Sequence, residues 1–322
     1  MNVKGLLVNC TSGRLKEIFS RCDEADVSAA FEVRLRANKP LAVRTARGEL
    51  FFNASGAEVK DVEKAYKPFI KDITDCIEIM SSHSLYAFQE EIRNGFITLR
   101  GGHRVGVSGR AVFENGAVKV FKGINGLNIR IAREIKGCAE EVVGYISNPL
   151  HSTLIISPPG RGKTTMLRDI TRILSNGGLN IGVVDERSEI AGTFMGVAQN
   201  DVGIRTDVLD GCPKGAGMLA LLRSMSPDVI VVDEIGGADD AAAVEEIVNS
   251  GVRLLCAAHG ASIDDIARKP TLRNLIDNKV FGRYLVLSSK GEVGGIEGIY
   301  DEELCLDGKW KQRAMENKVL LS

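Results

Sequence analysis

The sequence predicts an α/β protein, in which a mostly parallel sheet with helices on both faces is preceded by a smaller mixed α+β domain. From Ser152 onward strands, loops and helices alternate, and the strands TLIIS, VIVVD and RLLCAA are almost wholly apolar. Continuous apolar strands separated by helices are typical of a parallel sheet that is covered on both faces. We therefore predict an amino-terminal α+β domain over residues 1–135, a linker over 136–150 and the parallel-sheet domain over 151–322.

The amino-terminal half alternates between short strands and helices. The segments FEVRLR (31–36) and AVRT (42–45) alternate apolar and polar residues, as half-buried strands do. Helical spacing follows across residues 57–70 and again across 73–92. Strand-forming residues then dominate, and Asn115-Gly116 has the composition of a two-residue hairpin turn, because both residues tolerate positive φ.

The composition bounds the classes of function. Lys and Arg total 41 against 42 Asp and Glu, and aromatic residues make up 5% of the 322 residues. Because positive charge is not in excess and few aromatic side chains can stack on bases, we expect no nucleic-acid partner. The seven cysteines are scattered and never in C-x-x-C spacing, so we expect reduced thiols in a cytoplasmic protein. No apolar run approaches the roughly 18 residues of a membrane-spanning helix, so we expect any membrane to be reached through a partner protein.

A near match to the phosphate-binding pattern G-x-x-x-x-G-K-[ST] lies in ISPPGRGKTTML, with Ser157 in place of the first glycine. A strand that feeds a glycine-rich turn and then a helix points backbone N–H groups and the positive end of the helix dipole at one anion. Lys163 is expected to reach the β- and γ-phosphates of ATP, and Thr164 to bind Mg²⁺. We expect Ser157 to be tolerated if its φ is negative. The predicted nucleotide-binding residues are Ser157, Pro158, Pro159, Gly160, Arg161, Gly162, Lys163, Thr164 and Thr165.

Acidic and histidine side chains follow three other predicted strands. VIVVDE ends in Asp233, a candidate Mg²⁺ ligand, and Glu234, a candidate for polarising the water that attacks the γ-phosphate. VVDERSEIAG supplies Glu186 as a second candidate for orienting water or metal, and AAHG places His259 where it can hydrogen-bond to the γ-phosphate. Side chains at the carboxyl ends of neighbouring strands converge on one crevice. The alternatives are solvated acids, an ordinary polar loop around Glu186 and a structural histidine.

The ordered set ISPPGRGKTTMLRD, VVDERSEIAG, VIVVDEIG and AAHG, preceded by GGHRVGVSGR and LNIRIARE, resembles the stage III sporulation protein AA family, itself similar to the hexameric ATPases of type II and type IV secretion systems. The resemblance implies a RecA-like P-loop ATPase domain, with acidic and histidine boxes at Glu186 and His259. It also implies a homohexamer that works in endospore formation, at the cytosolic face of a membrane channel. Secretion ATPases often have glycine at the position of Asp233, so the division of work among Asp233, Glu234 and Glu186 stays open.

The resemblance also suggests where catalytic arginines lie. Hydrolysis builds negative charge on the transferred phosphoryl group, and an arginine from a neighbouring domain or subunit is a common way to offset it. The candidates are Arg104, Arg130 and Arg133, with Arg205 as a further option on the ATPase domain itself. A solvated face or a local ion pair is the alternative for each.

These patterns together predict an Mg²⁺-dependent ATPase with Lys163 and Glu234 among its catalytic residues. A phosphotransferase with the same loop is the first alternative, although the sequence shows no acceptor pocket with a lid. A nucleic-acid motor is the second, and the balanced charge and few aromatic residues disfavour it. A scaffold that only binds nucleotide is the third, and Asp233 and Glu234 argue against it.

Overall fold

The structure is a computed structural model that describes residues 2–81, 88–93, 95–114, 116–308 and 310. The chain forms two compact units, Met1–Arg133 and Glu134–Ser322. Each unit contains its own seven-stranded sheet. Among the described residues, every helix falls short of the length or apolarity that a membrane crossing demands.

The first unit is an antiparallel sheet with helices. Its helices are α1 (Val3–Cys10), α2 (Gly13–Arg21), α3 (Glu24–Ser28), α4 (Ile70–Met80) and α5 (Gln89–Arg93), with a short 3₁₀ helix at Val62–Lys64. Its strands are β1 (Ala30–Arg36), β2 (Ala42–Thr45), β3 (Gly48–Phe52), β4 (Glu58–Val59), β5 (Phe96–Leu99), β6 (His103–Glu114) and β7 (Ala117–Arg130). The strand order is β4-β3-β2-β1-β7-β6-β5.

Strand β1 shows why this sheet forms. Its Val33 and Leu35 are fully buried, whereas Glu32 and Arg34 between them are partly exposed. Because side chains alternate between the faces of a strand, this pattern gives the sheet one apolar and one polar face. The predicted alternation is thus the pattern of the folded strand over residues 32–36, whereas Phe31 is exposed.

The helix expected across residues 57–70 is wrong. These residues form β4, the 3₁₀ helix and extended chain, and α4 begins only at Ile70. Pro68 disfavours helical geometry at the residue before it, and the Asp72 carboxylate accepts the Phe69 N–H at 2.8 Å to start α4. In the predicted hairpin Asn115 lies outside the described residues, while Glu114 and Ala117 on either side pair across the two strands.

The second unit is a mostly parallel sheet. Its strands are β8 (Thr153–Ser157), β9 (Ile181–Asp185), β10 (Thr206–Asp210), β11 (Val229–Val232), β12 (Arg253–His259), β13 (Arg283–Leu287) and β14 (Ile296–Asp301). Its helices are α6 (Glu140–Ser147), α7 (Lys163–Asn176), α8 (Lys214–Met225), α9 (Ala238–Asn249), α10 (Ile263–Ala267) and α11 (Pro270–Asp277). The strand order is β10-β9-β11-β12-β8-β13-β14, and only β14 pairs antiparallel among these strands.

Helices cover both faces of this sheet. Ile155 of β8 packs in a core with α6 and α7, whereas Leu154 and Ile156 pack in a second core with α8, α9, α10 and α11. Full burial of each such side chain stabilises the fold by roughly 1.5–3 kcal/mol. A strand that is buried on both faces favours apolar residues on both of them, which is the reason for the apolar runs LII in β8 and VIVV in β11.

Residues 136–150, predicted as a linker, contain helix α6. Its Val142 and Ile146 are buried in the core shared with α7. The Ala139 N–H also donates to the buried Asp169 carboxylate of α7 at 2.9 Å. The division between the two units falls after Arg133.

Candidate functional site

The segment between β8 and α7 is an open, glycine-rich turn. Gly160 and Gly162 have φ of 73° and 90°, the left-handed region that favours glycine. A Cβ added at Gly160 would meet nothing within 4 Å, so the turn is open at this residue. Helix α7 begins at Lys163 without a side-chain cap, which leaves its first N–H groups available to an anion. Pro158 and Pro159 have no N–H to donate and shape the turn instead.

Ser157 fits the position where the usual pattern has glycine. It is the last residue of β8 and fully buried, and its hydroxyl donates to the Pro158 carbonyl at 2.9 Å. Its own carbonyl accepts the Gly260 N–H at 3.2 Å. Ser157 is not among the described non-glycine residues with positive φ. A side chain at this position is therefore compatible with the loop.

Three residues predicted from the sequence meet beside this turn. The Lys163 ammonium lies 3.5 Å from Glu234 Oε2 and 3.5 Å from His259 Nε2. His259 Nε2 lies 3.4 Å from the same Glu234 oxygen. The contact arises because β12 lies between β8 and β11, so all three strands end at one edge of the sheet. Glu234 and His259 remain partly exposed there, and a ligand can reach them.

Asp233 and Glu186 meet at a second cation, Lys214. The Lys214 ammonium lies 3.2 Å from Glu186 Oε2 and 3.5 Å from Asp233 Oδ1. Burial lowers the pKa of Lys214, but the two carboxylates outweigh that effect and leave its pKa raised. Sequence reasoning missed Lys214, because its only local signal is a lysine that follows Pro213 at the start of a helix.

Asp233 is the more buried of the two carboxylates beside Lys214. Its side chain is buried, and burial raises its pKa while Lys214 and the Glu234 N–H oppose that rise. Its Oδ1 has no hydrogen-bond donor, although the Lys214 ammonium is near. An uncommitted carboxylate oxygen suits Mg²⁺, which prefers oxygen ligands. No three His, Cys, Asp or Glu side chains of the described residues group closely enough to hold a metal by themselves. A magnesium ion would need phosphate oxygens and water as well.

The loop after β9 is held from both sides. The Asp185 carboxylate accepts the N–H groups of Glu189, Ile190 and Ala191 at 2.7, 3.0 and 2.8 Å. The Arg168 guanidinium of α7 donates to the carbonyls of Glu189 and Ile190 at 2.7 and 2.6 Å. Burial raises the pKa of Asp185 to about 6 against these three N–H donors. Asp185 thus fixes the loop that presents Glu186.

The Arg161 side chain, predicted to bind nucleotide, points to another loop. Its guanidinium donates to the carbonyls of Ser288, Lys290, Gly291 and Glu292 at 2.9–3.0 Å. Its own carbonyl accepts the Gly294 N–H at 3.1 Å. These contacts commit Nε and Nη2 of Arg161 to carbonyl acceptors. The guanidinium instead joins the turn to the connection between β13 and β14.

The candidate arginines of the first unit have local contacts. The Arg104 guanidinium stacks over the Phe96 ring at 3.7 Å. Arg130 lies opposite Arg104 and Glu32 on its two neighbouring strands. Arg133 donates to the carbonyls of Ser28 and Ala30 at 2.8 and 3.1 Å. Arg133 therefore contacts main-chain carbonyls of its own unit.

The remaining candidates lie in the second unit. Arg205 precedes β10, and its main-chain N–H donates to the Ser175 hydroxyl at 2.8 Å. Thr164 and Thr165 are the second and third residues of α7. Thr164 therefore lies beside Lys163, at the end of the helix that faces the glycine-rich turn.

Comparisons with known proteins assign the family. A family model described as sporulation stage III, protein AA, matches residues 1–305. The chain belongs to this family. It is 41% identical over 295 residues to the stage III sporulation protein AA of Bacillus subtilis (strain 168), covering 90% of the chain and 92% of that relative. The resemblance predicted from the ordered motifs is thus confirmed.

Solved structures show the fold. The pilus retraction motor PilT, in a structure with bound ADP, aligns at a TM-score of 0.56 and 16% identity, over 99% of this chain and 90% of that chain. The ATPase DotB of Legionella pneumophila aligns at 0.52 and 15%, over 85% and 74%. At such identity the likeness concerns the fold alone. It confirms the predicted α/β architecture of a RecA-like P-loop domain with a smaller α+β domain.

Proposed function

We propose that the protein is an Mg²⁺-dependent ATPase of the secretion-ATPase type. The observation that supports this most is the 3.5 Å contact between Lys163 of the glycine-rich turn and Glu234 at the end of β11. A triphosphate held at the turn would lie within reach of an acidic side chain that can orient water. Phosphate binding and water activation would then share one edge of the sheet.

Each residue has a role in this proposal. Main-chain N–H groups from Gly160 to Thr164 bind the phosphates, and Lys163 exchanges its contact with Glu234 for the β- and γ-phosphates. Bound Mg²⁺ would offset the phosphate charge, with the Thr164 hydroxyl and Asp233 as its protein ligands. Glu234, once released by Lys163, orients the attacking water and accepts its proton.

Glu186 and His259 complete the proposed site. Glu186 is the second acidic candidate for orienting water, and its ion pair with Lys214 holds it near Asp233. His259 Nε2 lies about equally far from Lys163 and Glu234, at 3.5 and 3.4 Å, and we assign it a hydrogen bond to the γ-phosphate. Glu234 makes the direct contact with Lys163, so we assign it the principal role.

We further propose that the protein works as a cytoplasmic homohexamer at the face of a membrane protein complex, where it powers a channel during endospore formation. The family supports a role in sporulation. The fold shared with the pilus retraction motor PilT and the ATPase DotB supports a motor. In a ring, Arg104, Arg130 or Arg133 can come from a neighbouring domain or subunit to offset charge in the transition state. Nucleic acid is not proposed as a partner.

An ATP turnover assay tests the activity. The purified protein is expected to release phosphate from ATP with Mg²⁺ and to lose this activity with EDTA. Single-stranded DNA is expected to leave the rate unchanged, and stimulation by DNA would favour a nucleic-acid motor. Transfer of phosphate to a small-molecule acceptor would favour a phosphotransferase. Absence of any turnover alongside tight ATP binding would leave a nucleotide-binding scaffold.

Light scattering tests the ring. With a non-hydrolysable ATP analogue and Mg²⁺, the mass is expected to rise to that of a closed oligomer. A mass that stays monomeric at all protein and nucleotide concentrations would contradict ring assembly by the protein alone.

A further inference from the structure

Lys214 lies between the two acidic side chains at the ends of β9 and β11. Its ammonium is within 3.5 Å of both Glu186 Oε2 and Asp233 Oδ1, and its side chain is only 14% exposed. Strands β9 and β11 are parallel neighbours in the sheet. Glu186 and Asp233 directly follow these strands, so their carboxylates lie close together at one edge. The mostly buried Lys214 ammonium therefore forms ion pairs with two carboxylates that follow separate strands.

The position of Lys214 in its helix is unfavourable without these partners. Lys214 is the first residue of α8, where the positive end of the helix dipole repels a cation. Partial burial adds a further cost to an ammonium group. The free energy that the ion pairs with Glu186 and Asp233 contribute therefore has to exceed the cost of the helix dipole and of desolvation. Its location thus points to a role at the carboxylates.

The Asp233 oxygen nearest Lys214 is not fixed by a hydrogen bond. Asp233 Oδ1 is buried and has no hydrogen-bond donor, although the Lys214 nitrogen lies 3.5 Å away. An ion pair of this length balances charge without fixing the oxygen in a directional bond. A divalent cation seeks the same oxygen. Lys214 and a metal would therefore compete for the space between the two carboxylates.

We propose that Lys214 is a positioning residue that occupies the cation position between Glu186 and Asp233 and prevents divalent metal from binding before nucleotide. This inference rests on the proposed ATPase function, which makes Asp233 a metal ligand. The lysine also holds Glu186 beside Asp233, because without it the two carboxylates repel each other. Divalent metal is then accepted only together with a nucleotide, whose phosphates supply most of its ligands.

Binding of Mn²⁺ to the nucleotide-free protein tests the proposal. Electron paramagnetic resonance measures free Mn²⁺ in titrations of the wild type and of Lys214→Met, which keeps the length of the side chain and removes its charge. The variant is expected to bind Mn²⁺ at least tenfold more tightly than the wild type. Lys214→Arg is expected to match the wild type, because it keeps the charge. Lys71→Met, which removes an exposed ammonium paired with Asp75, is the matched control and is expected to change nothing.

A second pair of variants locates the effect. Glu186→Gln combined with Lys214→Met removes one of the two carboxylates and is expected to lose the gain in Mn²⁺ affinity. Lys214→Gln, a polar neutral replacement, repeats the test if Lys214→Met does not fold by circular dichroism. Equal Mn²⁺ affinity of the wild type and both neutral variants would overturn the proposal. So would a gain that persists in the double variant.

Turnover gives an independent result. If Lys214 positions the acidic pair, Lys214→Met is expected to lower kcat for ATP at least fivefold and to change KM less than twofold, since the glycine-rich turn is untouched. Unchanged kcat would contradict a positioning role. A wild type without ATPase activity would overturn the proposed function. The Mn²⁺ comparison is made without nucleotide, so it would still decide whether Lys214 prevents metal from binding to the two carboxylates.

Discussion

The Lys163 ammonium lies 3.5 Å from the Glu234 carboxylate, although 71 residues separate them in the chain. Three parallel strands ending at one edge create this contact, with β12 between the strands that lead to each residue. The ammonium proposed to bind phosphate therefore lies against the carboxylate proposed to activate water. Under the proposed function, nucleotide binding separates this pair and frees both groups for their proposed roles.

The two glycines of the turn are expected to respond differently to a methyl group. In Gly162→Ala, the new Cβ would lie 3.2 Å from the Gly294 nitrogen and 3.3 Å from Val293 Cγ1, in a residue with φ of 90°. Left-handed geometry alone costs about 1–2 kcal/mol in a non-glycine residue. We expect Gly162→Ala to lose that much or more in unfolding free energy, measured by urea titration, and to bind ATP more weakly.

Gly160→Ala is the matched control. Its φ of 73° imposes similar backbone strain, but its Cβ would meet nothing within 4 Å in the nucleotide-free protein. We expect a smaller loss of stability than in Gly162→Ala and a marked loss of ATP affinity, because a phosphate would fill that space. Equal stability of the two variants would contradict the contact between the turn and Gly294.

Asp185 is expected to make stability depend on pH. Its folded pKa is about 6, above the unfolded value of about 3.9, so the folded protein holds this proton more tightly. Between about pH 4 and pH 6 the unfolded carboxyl ionises first, and the unfolding free energy falls as the pH rises. Asp185→Asn lacks this fall. Its unfolding free energy relative to the wild type is therefore expected to rise by up to about 3 kcal/mol from pH 4 to pH 7.

Urea titrations at several pH values measure that difference. Asp277→Asn, at an exposed acid of α11, is the control and is expected to show no such trend. The unfolding free energy of Asp185→Asn relative to the wild type could instead decrease toward neutral pH. In that case the three N–H donors outweigh burial, and the pKa of Asp185 is not raised.

The Arg161 guanidinium is expected to order the connection between β13 and β14. Arg161→Met removes the donor for four carbonyls between Ser288 and Glu292. With a net worth of about 1 kcal/mol for each hydrogen bond, amides of residues 288–295 should exchange at least fivefold faster. Hydrogen-exchange mass spectrometry of peptides covering this segment measures the change.

An exposed arginine supplies the comparison for Arg161. Arg273→Met removes a surface pair with Asp277 in the same unit and should leave the exchange of 288–295 unaltered. Identical exchange in Arg161→Met and the wild type would show that the segment holds its conformation without the arginine.

Restoring the usual first glycine of the phosphate-binding pattern is expected to bring no benefit. Ser157→Gly removes the hydroxyl bond to the Pro158 carbonyl and adds chain freedom, for a loss of about 1 kcal/mol in unfolding free energy. ATP affinity, measured with a fluorescent analogue, should stay within twofold. A large gain in affinity would mean that the serine distorts the turn.

The sequence predicts the parallel-sheet unit well because its strands are buried on both faces. The middle of TLIIS (Leu154, Ile155, Ile156) and all of VIVV are apolar, and glycines and charged residues follow these strands. Since parallel strands end at one edge, the proximity of Lys163, Glu234 and His259 follows from their positions after three such strands. Side-chain chemistry and topology suffice for this prediction.

Other features depend on tertiary contacts that leave little local signal. Lys214 is an ordinary lysine in CPKGAGM until β9 and β11 bring two carboxylates to it. Arg161 lies within the phosphate-binding pattern, yet its guanidinium finds acceptors over 120 residues away. The helix expected at residues 57–70 follows a periodicity that Pro68 and the pairing of β4 with β3 override.

The proposed ATPase activity depends most on Glu234 as the residue that activates water beside a phosphate held by Lys163. The decisive measurement is ATP binding and phosphate release by Glu234→Gln, with Lys163→Ala in parallel. We predict that Glu234→Gln binds ATP as tightly as the wild type and hydrolyses it at least about 100-fold more slowly. Lys163→Ala is expected not to bind ATP. Turnover at the wild-type rate in both variants would contradict the account.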